Sequence, residues 1–496
     1  MPMQESLLVQ RCRSRLLLPL SAALLVVSAG AADVDLPDIG SPADATLSKN
    51  VEARIGRSIM REIRAGGVLV DDPQVTEYIN DIGHRVSAHA NSGEQKFTFF
   101  VIDDPNINAF ALPGGYVGVH TGLLEATRSE DELAGVLAHE VAHVTQRHIA
   151  RAIHANSRQG IINTAIMLGA ILAGAASGAS GDFMQGTIAV AQGAAIQQQI
   201  NFTRSNEYEA DRIGISALAE AGFDPQGMAS FFEVISRGAG SPEQRVPEFL
   251  RTHPVTSARI AEARGRARDY APAHTSDTVN YGVARSRLII RRMDTPEQAV
   301  RHFEREEYEN QSVAERYGRA EAYMRAGRYA EANRIFEELV DNDQEVIAYH
   351  IGLAQSELAL ERTGDAVATY ERARELFPRN VPLVVHYAES LLQLGRAALA
   401  HEILLDLLNN VPPTPEQVRL IARAANEAGD MAESNYYMSE YRVMIGDLVG
   451  GVNFLLQALR APDLQEIQRI RFEARIDFLQ EFMTEEQLQQ MRRSRS

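Results

Sequence analysis

The 496-residue sequence contains a single cysteine, Cys12, close to the amino terminus. Because there is no second cysteine, the chain cannot form an internal disulfide, and its stability must come from a packed core or from a bound metal ion. Basic residues are also scarce: 49 lysines and arginines stand against 66 aspartates and glutamates, which gives a formal net charge of −17. This balance argues against nucleic acid and against an anionic membrane surface as the main partner.

Uninterrupted hydrophobic runs long enough to span a bilayer comfortably are also missing. The first apolar run, Leu16 to Val27, follows three arginines and ends at small residues that include Ala29 and Ala31. This pattern predicts a cleaved secretory signal peptide over residues 1–32, with an uncleaved anchor as the alternative. A second run, Ile161 to Ala176, is diluted by glycines. We expect it to form a buried or substrate-facing helical hairpin, with membrane insertion of residues 161–181 as the alternative.

What the sequence does contain is an H-E-x-x-H motif, His139 to His143, inside an apolar stretch with helical spacing. The two histidines are four positions apart, so on a helix both imidazoles leave the same face and can bind one zinc ion. Glu140 lies beside the first histidine, where its carboxylate can accept a proton from a water that zinc activates. The motif therefore predicts a metallopeptidase site with Glu140 as the catalytic base.

Catalytic zinc needs a third protein ligand, and the remaining histidines and nearby acids are all candidates. Glu207 and Asp211 lie four residues apart on a predicted helix that continues to Ala221, so they share a face. One of them can bind the metal while the other accepts the N–H of a ligating histidine. Glu209 points elsewhere on the same helix.

Three further histidines were considered as ligands. His148 lies nine residues after His139, off the ligand face, and is predicted to be a helix-surface residue; His120 follows a predicted strand and is interpreted as structural. His253 ends a Gly/Pro-rich loop, Arg237 to Pro254. A loop histidine can reach the zinc as a fourth ligand, and the alternative is a locally hydrogen-bonded residue at a helix start.

A small β element precedes the motif. Lys96 to Ile102 is rich in β-forming residues, and Asn108 to Val119 alternates around a Pro-Gly-Gly turn, as a hairpin or edge strand does. Such a strand can pair with an extended substrate by β-augmentation. The predicted substrate-binding residues are Asn108, Ala109, Phe110, Ala111, Gly114 and Gly115.

The last third of the chain repeats with a period of 34 residues. Alanines recur at positions 320, 354, 388 and 422, and glycines at 327, 395 and 429, with Glu361 in the remaining place of the glycine column. Small residues at helix contacts and glycine at the turn between helices resemble the tetratricopeptide repeat. Glu361 suggests that one of these turns differs from the others.

The H-E-x-x-H motif, the later E-x-x-A-D at Glu207 and the stretch Asn108 to Gly115 together resemble the zincins typified by the heat-shock protease HtpX and the CAAX prenyl protease. The resemblance covers about residues 50–265 and implies that Glu207 is the third ligand of one zinc ion per chain. Together with the predicted signal peptide and the repeats, the resemblance becomes more specific: the whole layout resembles the family of periplasmic β-barrel assembly-enhancing proteases. In that family the histidine of the H-P motif, His253 here, is expected to cover the zinc at rest.

This resemblance implies a mostly α-helical, zincin-like metallopeptidase domain with a small β element, followed by an α-solenoid of tetratricopeptide repeats. We expect a signal peptide at 1–32, a mobile leader at 33–50, the peptidase at 51–265, a linker at 266–285 and the repeats at 286–496. The expected partners are unfolded or misassembled outer-membrane proteins and, through the repeats, the outer-membrane β-barrel assembly machinery. No nucleic acid is expected, and peripheral membrane association is compatible with the sequence.

The competing hypothesis is a chaperone or scaffold whose zincin rarely cuts, and a third is a membrane-inserted protease. The intact motif favours a periplasmic zinc endopeptidase, with or without chaperone activity, because a pure binding module would not need Glu140.

Overall fold

The computed structural model describes residues 47–495 apart from 91–92, 94, 156–203, 239–246, 272–276 and 463. The predicted signal peptide, nearly all of the predicted leader and the apolar run that begins at Ile161 therefore lie outside the described residues.

The elements are numbered here in chain order over the described residues. The first part contains α1 (Lys49–Ala65), α2 (Pro73–Ser87), β1 (Thr98–Ile102), β2 (Ala109–Leu112), β3 (Tyr116–His120), α3 (Thr121–Ala126), α4 (Glu130–Thr145), α5 (His148–Ala155), α6 (Arg204–Glu220), α7 (Gln226–Gly238), α8 (Glu248–Thr252) and α9 (Ser257–Ala267). The second part contains α10 (Val279–Arg292), α11 (Pro296–Phe303), a 3-10 turn (Tyr308–Asn310), α12 (Val313–Arg325), α13 (Tyr329–Asn342), α14 (Ile347–Ala359), α15 (Thr363–Leu376), α16 (Val381–Gln393), α17 (Ala397–Asn410), α18 (Pro415–Glu427), α19 (Met431–Met444), α20 (Leu448–Ala458), α21 (Glu466–Gln480) and α22 (Glu485–Arg495).

The described sheet has three strands in the order β1-β3-β2, so β2 lies at an edge. β1 pairs with β3 in parallel, and β2 pairs with β3 in antiparallel register through the predicted hairpin. Gly114 and Gly115 turn this hairpin with φ angles of 83° and 88°, a left-handed conformation that glycine adopts without a steric penalty. The hairpin therefore leaves one edge of β2 without a partner strand among the described residues.

The helix α4, which carries the H-E-x-x-H motif, runs through the core of the first part. Ser129 caps its amino terminus by accepting a hydrogen bond from the Glu132 backbone, and the helix packs against α2, α6, α7 and β2. Leu133, Leu137 and Val141 are fully buried among these elements. Because every side of α4 is covered, its motif residues are held in a rigid, water-poor environment.

The second part is a stack of helix pairs with the predicted period. Helices α12, α14, α16 and α18 begin at Val313, Ile347, Val381 and Pro415, at successive intervals of 34 residues. The fold predicted from the sequence, a helical peptidase with a small sheet followed by tetratricopeptide-like repeats, is confirmed. Among the described residues, no helix is long and apolar enough to cross a bilayer.

Helix α10 connects the two parts because it contributes to both hydrophobic cores. Tyr281, Ala284 and Leu288 pack into the core that contains α4, whereas Val283 and Ile290 pack with the first repeat helices. This helix spans the boundary at 285/286 that the sequence suggested, so the domain limits remain a prediction.

Candidate active site

Four side chains from three separate segments meet beside α4. His139 and His143 project from one face of that helix, Glu207 from the first turn of α6, and His253 from the residue after α8. One potential ligand atom from each lies within 4.8 Å of the other three, and all four residues are buried. The spacing argument from the sequence thus places both motif histidines at one point, and the fold brings Glu207 to it.

The two motif histidines are oriented in the same way. The Nε2 atoms of His139 and His143 lie 3.0 Å apart and face Glu207, at 3.5 and 3.4 Å from its two carboxylate oxygens. The Nδ1 atom of each points away from the cluster. For His139 it lies 3.0 Å from Oδ1 of Asp211. Asp211 thus stands behind a candidate ligand, as the i, i+4 spacing predicted.

Arg259 on α9 holds two acidic residues of α6, Glu207 and Asp211, in place, and sequence reasoning missed it. Its guanidinium donates to Oδ1 and Oδ2 of Asp211 at 2.7 and 2.8 Å and to Oε2 of Glu207 at 2.7 Å. Arg259 is 2% exposed. A signal was present, because Arg259 shares the buried stripe of an amphipathic helix with Ala263 and Ala267, four and eight residues later.

Glu140 is fully buried beside the cluster. Its Oε1 lies 3.4 Å from Nε2 of His253. Burial raises the pKa of the Glu140 carboxyl, nearby His253 and His139 act in the opposite direction, and Glu207 adds to the rise. The backbone of Ala111 on β2 also interacts with this carboxylate and lowers its pKa. A carboxylate with a raised pKa is suited to accept a proton and return it.

His253 reaches the cluster from a short helix, a difference from the long loop predicted over residues 237–254. Its Nδ1 lies 3.3 Å from Nε2 of His139 and 3.2 Å from Oε1 of Glu207. The helix α8 that positions it is fixed to the sheet, since the backbone N–H of Phe249 donates to the carbonyl of Ile107 at 3.2 Å. Ile107 lies two residues before β2, so this hydrogen bond joins α8 to the chain just ahead of the edge strand.

His148 is not the surface residue that the sequence predicted. It is fully buried, with Nδ1 2.9 Å from Nδ1 of His143 and Nε2 3.2 Å from Oε2 of Glu209. The helix predicted through this position ends at Thr145, and Arg147 adopts a left-handed φ of 52° that turns the chain back. Burial lowers the pKa of His148 to about 4, although Glu209 opposes this, so its imidazole is neutral near pH 7.

The six residues predicted to bind substrate occupy two different places. Ala109, Phe110 and Ala111 form β2 along α4, and Asn108 precedes them; all four are buried. Gly114 and Gly115 lie at the hairpin turn, where an added Cβ would meet the backbones of Ala53 and Lys96. The structure therefore brings the β2 residues towards Glu140 and packs the two glycines against α1 and the chain before β1.

The donor set fits a divalent metal ion. Burial raises the pKa of Glu207, but His253, His139 and His143 outweigh it and hold that pKa well below its usual range, so the carboxylate is charged. Burial lowers the pKa of His143 well below its ordinary value, which leaves its imidazole neutral. Two imidazole nitrogens and one carboxylate are the protein ligands of many catalytic zinc sites.

Comparison with known proteins identifies the family. A sequence model described as peptidase family M48 matches residues 73–267, and two tetratricopeptide repeat models match residues 317–381 and 357–424. The β-barrel assembly-enhancing protease of Yersinia pestis is 34% identical over 90% of this chain and 91% of its own length, and that of Escherichia coli is 33% identical over 95% and 97%. The chain belongs to the β-barrel assembly-enhancing protease family.

Membership makes the protein a metalloendopeptidase, and its His-His-Glu-His cluster lies within the matched peptidase segment. A relative outside the bacterial proteins matches a smaller part of the chain. The mitochondrial metalloendopeptidase OMA1 of Schizosaccharomyces pombe is 30% identical over 43% of this chain and 60% of its own length. The alignments with the two bacterial relatives cover 90% and 95% of this chain, so they include both the peptidase part and the repeats.

Proposed function

We propose that this protein is a periplasmic zinc endopeptidase that removes outer-membrane β-barrel proteins whose assembly fails. The observation that carries the proposal is the buried convergence of His139, His143 and Glu207 beside Glu140. The proposed substrate class and location rest on the names of relatives that align with this chain over almost their whole length.

In the proposed mechanism, His139 and His143 would hold zinc through their imidazole nitrogens, and Glu207 would hold it through its carboxylate. Zinc bound there would act as a Lewis acid that polarises the peptide carbonyl and makes water more acidic. Glu140 accepts the proton of the attacking water and later transfers it to the leaving amine. Asp211 and Arg259 fix His139 and Glu207, so that neither ligand needs to reorganise during the reaction.

The edge strand β2 supplies a place for the substrate backbone. The backbone of Ala111 interacts with the Glu140 carboxylate, and within the described part of the chain β2 pairs only with β3. An extended peptide added to this edge would pass the catalytic base with its main chain held by hydrogen bonds. Recognition through the backbone suits unfolded clients, because it places little demand on side-chain sequence.

His253 acts as a latch in this proposal. Its Nδ1 points into the ligand cluster and its Nε2 faces Glu140, so one side chain restrains both the fourth ligand position and the base. The hydrogen bond from Phe249 to Ile107 holds the same segment at the start of the substrate edge. Substrate must therefore displace α8, and the population of the displaced state scales the activity.

The repeats are proposed to recruit clients and the β-barrel assembly machinery. Helices α14 and α16 form a cavity of about 280 Å³ lined by Gln355, Leu358, Ala359, His386, Glu389, Ser390 and Gln393. The polar side chains among them can bind main-chain amide and carbonyl groups of a partner segment.

The alternative, a chaperone whose peptidase rarely cuts, is distinguished by one substitution. Glu140→Gln keeps the size of the side chain but removes the proton acceptor, so cleavage of a misfolded β-barrel protein should fall by about 10²- to 10⁴-fold while zinc and substrate stay bound. The matched control is Glu220→Gln, which alters an exposed acid at the far end of α6 and should leave cleavage unchanged. Cleavage by Glu140→Gln at the rate of the unaltered protein would exclude Glu140 as the base, whereas full rescue of β-barrel assembly by a Glu140→Gln protein that no longer cleaves would favour the chaperone.

A further inference from the structure

His143 is supported from behind by a chain of three side chains. Its Nδ1 lies 2.9 Å from Nδ1 of His148, and Nε2 of His148 lies 3.2 Å from Oε2 of Glu209. Arg151 donates to the same Oε2 at 2.9 Å. Burial is graded along this chain: the His148 side chain is fully buried, that of Glu209 is 22% exposed and that of Arg151 is 41% exposed.

The direction of each proton follows from the role of His143. Its Nε2 faces the cluster, so when it binds a metal through that atom its proton must be on Nδ1. That Nδ1–H can only donate to His148 if Nδ1 of His148 carries no proton. A neutral His148 then has its proton on Nε2, from which it donates to Glu209.

We propose that His148, oriented by Glu209 and Arg151, is a positioning residue that fixes the tautomer and ring orientation of His143 for metal binding. The inference rests on the proposed function, because it takes His143 as a ligand. His148 lies at the Nδ1 side of His143, away from the Nε2 atoms that face the cluster, so its proposed effect on the metal passes through His143.

The two histidines of the motif are then supported in different ways. His139 has a carboxylate, Asp211, directly at its Nδ1, whereas His143 has an imidazole between itself and the carboxylate of Glu209. The left-handed turn at Arg147 creates this difference, because a continuous helix would carry His148 away from His143. Partners that orient a ligating histidine typically change metal affinity by about 10- to 100-fold when they are removed.

The test compares two substitutions at position 148 in the full-length protein, with zinc titrated against a chromophoric chelator. His148→Leu removes the acceptor and is expected to weaken zinc binding by about 10- to 100-fold. His148→Asn returns an acceptor oxygen near the position of Nδ1 and is expected to recover most of that loss. The buried His120 gives a matched control, since His120→Leu removes an imidazole that lies against Phe110 and Asp104 and should leave zinc affinity unchanged.

The outcomes separate this inference from the proposed function. If the unaltered protein binds no zinc, or if Glu207→Ala binds it equally well, the metal centre itself is wrong. If the unaltered protein binds zinc and His148→Leu binds it as tightly, or if His148→Asn is as weak as His148→Leu, only the positioning role is overturned.

A second measurement does not depend on how well the variants fold. Nitrogen-15 chemical shifts of the histidine rings in the zinc-loaded, unaltered protein report which nitrogen carries the proton. His148 is expected to be neutral and protonated at Nε2. A His148 protonated at Nδ1 could not accept from His143 and would overturn the inference.

Discussion

Glu207 is the residue at which the ligands and their supporting charges meet. One of its oxygens faces His143 and His253, and the other faces His139 and Arg259. We expect Glu207→Ala to lower zinc affinity by at least about 100-fold and to abolish cleavage, because it removes a charged ligand from a buried site. Zinc content after dialysis and peptidase assays would measure both effects.

The control for that experiment is Glu209→Ala, two residues away on the same helix. Glu209 acts only through His148, so its loss should weaken zinc binding by less than the loss of Glu207 does. A larger loss of metal from Glu209→Ala than from Glu207→Ala would mean that the ligand has been assigned to the wrong acid.

His253→Ala should release the latch. Removing the imidazole frees Glu140 and the fourth ligand position while three ligands remain, so zinc should stay bound and basal cleavage should rise. A rise of about tenfold needs a shift of only about 1.4 kcal/mol in the balance between closed and open states. Self-cleavage during storage gives a direct readout, and adding Glu140→Gln should abolish it. Basal activity at or below that of the unaltered protein would indicate that His253 is structural or assists the reaction.

For individual residues, the sequence predicted those site residues whose relative placement is set within one helix. His139 and His143 share a face because the helix period fixes it, and Glu207 and Asp211 do so for the same reason. His148 was misplaced because nothing in the periodicity reveals that the helix ends at Thr145. Arg259 comes from a segment 48 residues beyond Asp211, and only the tertiary fold brings its guanidinium to the site.

One repeat has Glu361 where the others have glycine in the turn between helices. The backbone angle at Glu361 shows whether this turn keeps the form of the others. Glu361 has a φ of 61°, in the same left-handed region as Gly327 at 73° and Gly395 at 70°. The sequence suggested that this turn differs from the others, and that prediction is wrong. The turn has the same form, and Glu361 is strained in it. The period of 34 residues outweighs the local preference of one position.

We expect Glu361→Gly to stabilise the protein by about 1 kcal/mol, because a residue with a Cβ pays about 1–2 kcal/mol in this conformation and glycine gives back part of that gain as entropy of the unfolded chain. Thermal or denaturant unfolding of the full chain would measure it. The mirror experiment, Gly395→Ala, should destabilise by a similar amount. An unchanged or lower stability of Glu361→Gly would show that the Glu361 side chain makes a contact that compensates for the strain.

Elements with a regular pattern were predictable, and those set by tertiary contacts were not. The repeats, the hairpin and α4 follow from periodicity and turn residues. Helix α8 is only five residues long and lies in a segment rich in glycine and proline, so its sequence resembles a loop. It is stabilised by the burial of Phe249 and by that residue's bond to Ile107, neither of which a local pattern contains.

Besides the packing of α10, Arg287 on that helix joins the peptidase part to the first repeat. Nε of Arg287 donates to Asp72 at 2.7 Å, and Nη1 donates to Tyr317 and Glu321 of the first repeat at 2.8 and 3.1 Å. The other carboxylate oxygen of Asp72 caps α2 by accepting from the backbone of Gln74. Since α2 packs against α4, a continuous set of contacts joins the repeats to the helix that carries the motif.

Arg287→Gln should therefore destabilise both parts together, while zinc affinity stays unchanged because Arg287 does not touch the cluster. The substitution leaves Asp72 and Glu321 without their cation in a place where Arg287 is only 15% exposed, so we expect a loss of about 2 to 3 kcal/mol. A single cooperative transition at lower temperature would report this, because α10 belongs to both cores. The control is Arg305→Gln, which alters an exposed arginine just after α11 and should change stability by no more than about 0.5 kcal/mol. If Arg287→Gln instead unfolds in two separate steps, the two parts are held together by this arginine rather than by the packing of α10.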